Sequence, residues 1–342
     1  MTPEALTESW LSEVLGNDVR VVSTSRIGDG LVGMNIRLEI ESDGSIPRSL
    51  IAKLPSPDPV SRATGVALRN YEREVGFYLE IAPTVDIRVP RCYHGEWHQD
   101  SGDFVLLMED LAPAQQGNQI TGCDAGDART AVLELAKLHG PRWGDTSLDD
   151  IEWLSRRTPD DSAQLAMLWA MFAPGFMKTF GAYLTIEATE LIERFGTQIT
   201  AWVDGRARAN TVTHGDYRLD NLMFGGPSGG APVAAVDWQT PAQGVGITDV
   251  SYFLGAGPEP VERRRIERSL VEEYGAALAD YGIEVDDEDL WTQYRREAYA
   301  GIVMSVIASQ IVGTNDRSEA MFAAMATRHA QHALDLQSES LL

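Results

Sequence analysis

The sequence predicts an α+β protein of two lobes, a small one built on an antiparallel sheet and a larger, mainly helical one. Three observations predict it. Short β-leaning runs punctuated by Gly, Asp and Pro fill residues 1–110, helical periodicity governs residues 111–342, and one hairpin pattern interrupts those helices at Thr211–Asp237.

In the first lobe, Arg20–Ile27, Met34–Glu41 and Ser49–Leu54 read as strands of a meander. Asn70–Ile81 places Tyr71, Val75, Tyr78 and Leu79 at helical spacing, and Phe104–Met108 is a further strand. In the second lobe, Asp127 is the expected N-cap of a helix carrying Val132, Leu135, Leu138 and His139. Helical patterns follow at Ser162–Phe172, Glu187–Val203, Val261–Tyr281, Asp289–Val312 and Glu319–Leu336. Between them, Leu222–Phe224 and Val233–Val236 flank the turn-rich G-G-P-S-G-G-A-P at 225–232, a hairpin signature.

Bulk properties exclude several functions. The 342 residues suffice for two domains or one bilobal unit, and 51 acidic against 28 basic residues give a net charge of -23. Such a charge disfavours nucleic acid and anionic lipid as partners. Cys92 and Cys123 form neither a disulfide framework nor a C-x-x-C pair, which fits a cytoplasmic protein. The amino-terminal segment carries no signal-peptide pattern, and the apolar run Ala298–Gly313 is too short and too polar to span a membrane. The pairs His94/His98 and His329/His332 lack the Cys partners or H-E-x-x-H context of a zinc site, and no G-x-S-x-G element indicates a serine hydrolase.

The chemistry concentrates around the hairpin. In T-H-G-D-Y-R-L-D-N-L-M-F, Asp216 precedes Asn221 by five residues, and the apolar run V-A-A-V ends on Asp237. A carboxylate that can take a hydroxyl proton, plus a carboxamide and a carboxylate that can hold Mg²⁺, is what phosphoryl transfer requires. An isolated H-G-D would be read as a turn or cap; the spacing makes it a site. His214 is expected to hold the loop by hydrogen bonding.

These motifs resemble the aminoglycoside phosphotransferase and ecdysteroid-kinase-like branch of the protein-kinase-like superfamily, with H-G-D-x-x-x-x-N standing where protein kinases carry H-R-D-x-x-x-x-N. The resemblance spans nearly the whole chain and implies the bilobal protein-kinase-like fold, with ATP and Mg²⁺ as cofactors. It makes Asp216 the catalytic base, Asn221 and Asp237 the metal ligands, and Arg218 a cation facing the transferring phosphate, against the alternative of a surface arginine. Trp238 and Gln239 replace the Phe and Gly of D-F-G. Asp249 is implied as a brace of the catalytic loop.

In the first lobe the resemblance assigns Lys53 of I-A-K-L-P to the ATP phosphates, paired with Glu74 or, two residues away, Glu72. A solvated edge lysine is the competing reading. The loop G-D-G-L-V-G-M-N offers Gly28, Gly30 and Gly33 as a phosphate cover. Its G-x-G-x-x-G spacing also matches a dinucleotide fingerprint, but a strand pattern follows it rather than a helix, which rejects that reading. V-L-L-M-E-D-L resembles the kinase hinge, with the Glu109 carbonyl and Leu111 amide toward adenine, or it is an ordinary strand leading into a linker.

Eleven residues between Asp237 and Asp249 leave no room for a peptide-binding platform, so no protein substrate is expected. Residues 144–212 form a helical, aromatic-rich insert with Trp153, Trp169, Phe172, Phe176, Phe180 and Tyr183, and with Pro174 and Gly175 expected to interrupt a helix beside a pocket. The expected acceptor is a small hydroxyl-bearing molecule with apolar surface. A non-catalytic metabolite-binding protein and an aminoglycoside-modifying enzyme are the competing functions.

Overall fold

The computed structural model describes residues 1–28, 32–44, 46–312 and 315–342. Gly30, one of the three loop glycines, lies outside the described residues.

Five strands build the small lobe: β1 (Arg20–Ile27), β2 (Gly33–Glu41), β3 (Ser49–Pro55), β4 (Cys92–His98) and β5 (Asp103–Glu109). They form one antiparallel sheet in the order β1-β2-β3-β5-β4. Helices α1 (Glu8–Leu15), α2 (Pro59–Ala67) and α3 (Asn70–Gly76) accompany it, and α3 runs on through a π-helical turn, Phe77–Ile81. Leu38, Leu50, Leu54 and Leu107 bury one sheet face against Leu6 and Leu11. Strand β4 escapes the sequence pattern because C-Y-H-G-E-W-H is half-covered along most of its length and shows no alternation.

The large lobe contains β6 (Gln115–Gln116), α4 (Ala125–His139), β7 (Ser155–Arg156), α5 (Asp161–Phe180), α6 (Ile186–Asp204), β8 (Thr211–Thr213), β9 (Leu222–Gly226), β10 (Gly229–Ala235), β11 (Ala242–Gly244), α7 (Ile247–Ala256), α8 (Pro260–Leu278), α9 (Asp287–Glu297), α10 (Tyr299–Ile311) and α11 (Asp316–Asp335). The β9/β10 hairpin pairs Leu222 with Ala235 and Phe224 with Val233. Beside it, β11 bridges β8 and β7. A second apolar core runs from α3 through the hairpin into α10 and α11, so the lobes share packing. No described helix is long and apolar enough to cross a membrane.

Three expectations need correction. The N-cap of α4 is Asp124, whose side chain accepts the Asp127 N–H; Asp127 itself lies within the first turn. Pro174 and Gly175 do not interrupt α5. Ala170, whose carbonyl loses the proline's missing N–H, is an exposed residue, so the missing bond falls on the solvent side of α5 rather than in the core. The single pattern over Asp289–Val312 is two helices that break at Ala298. There the Trp202 indole N–H, from α6, takes the Arg296 carbonyl (2.9 Å) that a continuous helix would use internally.

The insert aromatics are largely structural. Trp169, Phe176 and Phe180 are buried, and Trp153 packs on α3, where a Cβ at Gly76 would lie 2.4 Å from its ring. Tyr183 is exposed.

Candidate active site

Strand β3 places Lys53 on a buried face, and a buried ammonium needs counter-charges. It finds two. Glu74, one turn into α3, lies 2.6 Å from Nζ, and Asp237 of the large lobe lies 3.0 Å away. Burial opposes the charge on Lys53, but these carboxylates outweigh it and hold its pKa above the ordinary lysine value. Glu72 instead forms a pair with Arg69 at 2.7 Å. Gln239 Nε2 approaches the second Glu74 oxygen at 3.4 Å.

Because the Lys53–Glu74 pair is buried and the Glu72–Arg69 pair is open to solvent, Glu74→Gln should lower stability by about 1–3 kcal/mol and Glu72→Gln by less than about 0.5 kcal/mol. Urea unfolding of both variants checks this. Equal losses would remove the distinction.

Asp237 follows β10 in a left-handed backbone conformation (φ 64°), a strained state that Asp tolerates better than most residues. Burial raises its carboxyl pKa, but the neighbouring Lys53 ammonium outweighs that, and the net direction is below the ordinary carboxylate value. Its side chain remains 40% exposed, available to a ligand. Trp238, next in sequence, stacks face to face on Phe77 with centroids 3.6 Å apart and so ties the segment after β10 to the small lobe.

The segment 214–221 is held from behind. Asp249 on α7 accepts the backbone N–H groups of His214 (2.6 Å) and Gly215 (3.1 Å). His214 Nε2 meets the Val236 carbonyl at 3.1 Å, and its Nδ1 faces the Asp216 N–H at 3.3 Å, so this ring links the two arms of the site. Gly215 has φ 80°, and a Cβ there would sit 2.3 Å from the Thr240 carbonyl. That crowding accounts for Gly where the protein-kinase motif has Arg.

Asp216 carries a dense set of donors. Asn221 Nδ2 reaches its backbone carbonyl (2.9 Å) and its Oδ2 (3.0 Å), Arg218 Nε reaches Oδ2 (3.1 Å), and the Tyr252 hydroxyl donates to Oδ1 (2.7 Å). With its amide nitrogen turned to Asp216, Asn221 has its carbonyl oxygen left for a cation. Arg218 also pairs with Asp220 at 2.9 Å, and Asp220 with Arg317 of α11 at 2.9 Å. Arg218 is therefore engaged in an ion-pair chain rather than lying as a free surface side chain.

The remaining candidates are two loop glycines, Gly28 and Gly33, and two residues at and just after the end of β5, Glu109 and Leu111. Gly33 lies against Lys53, since a Cβ on it would be 3.4 Å from Lys53 Cε, whereas among the described residues beyond its chain neighbours no atom comes within 4 Å of a Cβ built on Gly28 (φ 66°). At the end of β5, Glu109 binds Arg88 at 2.6 Å and its N–H donates to the Arg91 carbonyl. The Leu111 carbonyl accepts the Ala114 N–H in the connection that follows.

Sequence reasoning missed Tyr252, Asp220 and Arg317. Tyr252 had a legible signal: it stands three residues after Asp249, which on a helix puts both side chains on one face. Arg317 had none, because only tertiary packing brings α11 to the loop.

No curated protein matches the sequence. An aminoglycoside phosphotransferase so assigned from Ralstonia eutropha JMP134 superposes with TM-score 0.58 at 15% identity, covering 98% of each chain. The GDP complex of wild-type aminoglycoside 2'-phosphotransferase-IIIa gives 0.56 at 15% identity over 99% of each chain, and choline kinase from Cryptosporidium parvum Iowa II gives 0.56 at 10% identity over 98% of this chain and 91% of that one. Identities this low establish the bilobal kinase-like fold and nothing finer. The sequence profile of the phosphotransferase enzyme family matches residues 26–295, from the first strand through α9, and the chain belongs to that family.

Proposed function

We propose that the protein transfers the γ-phosphate of ATP to a hydroxyl group of a small, partly apolar molecule, with Asp216 as the base. The observation that carries this reading is the convergence of Lys53 and Glu74 from the small lobe with Asp237, Asn221 and Asp216 from the large one.

Lys53, fixed between Glu74 and Asp237, offers its charge to the nucleotide phosphates. The acceptor hydroxyl gives its proton to Asp216 as its oxygen bonds to the γ-phosphorus, the bond to the bridging oxygen breaks, and ADP leaves. Arg218, two residues from the base, is within reach to balance charge developing on the transferred group. The Asn221 carbonyl oxygen and the part-exposed Asp237 carboxylate are hard oxygen donors that suit Mg²⁺. When bound, that ion would neutralise phosphate charge. The short span from Asp237 to Asp249, occupied by β11 and turns, argues against a protein acceptor.

An ATP- and GTP-consumption screen over hydroxylated metabolites, steroids, aminoglycosides and hydroxyacyl thioesters tests the reading, with Asp237→Asn as control. One acceptor giving magnesium-dependent turnover that the control lacks is the expected result. Nucleotide binding without transfer to any acceptor in the panel or to water would overturn it.

A further inference from the structure

Tyr252 has no role in the chemistry above, yet its hydroxyl is bonded to the proposed base. The side chain projects from α7 one turn beyond Asp249 and is 5% exposed. Its ring lies against the His329 imidazole of α11, with centroids 5.3 Å apart and planes inclined by 21°. Neither His329 nitrogen has a hydrogen-bond partner among the described residues, so the contact is one of ring packing. Burial and the adjacent Asp216 charge both push the phenol pKa well above its ordinary value, which keeps the hydroxyl a donor.

A carboxylate offers about four lone-pair positions, two on each oxygen. On Asp216, Oδ2 already receives two donors, Arg218 Nε and Asn221 Nδ2. Oδ1 receives one, from Tyr252. The remaining acceptor position is on Oδ1, beside the phenol.

We propose that Tyr252 is a positioning residue for phosphoryl transfer, fixing the Asp216 carboxylate so that Oδ1 is the oxygen that meets the acceptor hydroxyl. The inference rests on Asp216 being the base. Asp249 and Tyr252 then divide one task between them from the same helix face: the first holds the backbone of the catalytic loop, the second the side chain at its tip. A phenol locked by a neighbouring ring holds one orientation with little loss of freedom on binding.

Tyr252→Phe removes one oxygen and keeps the ring against His329, so the variant should fold, with its thermal midpoint as the check. Turnover of MgATP with water as acceptor requires no knowledge of the natural acceptor. The expected result is a fall in kcat of about 10-fold to 100-fold at unchanged KM for MgATP, in line with losing a hydrogen bond to a charged group. A residue that served only packing would leave kcat at the wild-type level, because the variant keeps the ring against His329. Wild-type kcat in Tyr252→Phe, with Asp216→Asn inactive, would overturn this inference and leave the base assignment standing. Wild-type turnover in Asp216→Asn would remove the base assignment and this inference together.

Discussion

Asp216→Asn is expected to lower turnover by about 10²–10⁴-fold while leaving the MgATP dissociation constant within about 3-fold of wild type. The substitution keeps shape and most contacts. The amide oxygen can still accept from Asn221 Nδ2 and Arg218 Nε, and the new NH₂ faces a Tyr252 hydroxyl that can rotate to accept. What is lost is the capacity to take a proton, which corresponds to about 3–5 kcal/mol of the barrier. Single-turnover phosphate release paired with calorimetric MgATP binding separates the two quantities. Turnover within a factor of 2 of wild type would show that another group, or water, takes the proton.

Asp237→Asn is expected to abolish the magnesium dependence of nucleotide binding and to weaken nucleotide affinity at saturating magnesium by about 10-fold or more. Asn is the informative replacement because it tolerates the left-handed backbone at this position, where Ala adds a strain of about 1 kcal/mol unrelated to the metal. The variant also leaves Lys53 with Glu74 as its one carboxylate partner within 3.0 Å. Titration of nucleotide binding against magnesium, in wild type and variant, reads the effect. An unchanged magnesium dependence would move the metal site elsewhere.

The pH response of the pair follows from the same geometry. The Asp237 carboxyl has a folded-state pKa below its unfolded value, so its interaction with Lys53 contributes stability above the unfolded pKa, and that contribution is lost as pH falls through the folded one. The loss therefore lies on the acid side of the ordinary aspartate range, well away from neutral pH.

The three meander strands and the hairpin were readable because β-branched runs and Gly-Pro-rich turns act locally. The phosphotransfer motif was readable because Asp216, Asn221 and Asp237 belong to one hairpin, where chain spacing fixes spatial spacing. β4 was hidden because its residues are half-buried and carry no period. The break at Ala298 was hidden because it depends on Trp202, almost a hundred residues earlier in the chain and supplied by another helix.

The same division holds at the site. Sequence by itself determined the fold class and the phosphotransferase family, and it singled out Lys53, Asp216, Asn221 and Asp237 as candidates, since each sits in a local motif whose period or spacing can be read. Tertiary structure alone decided that Glu74 rather than Glu72 faces Lys53, because one residue of α3 points into the lobe interface and the other toward solvent. It also brought Tyr252 and, through Asp220, Arg317 to the catalytic loop from α7 and α11. Those contacts depend on how helices pack against one another, and packing across long separations leaves no periodic trace in the chain.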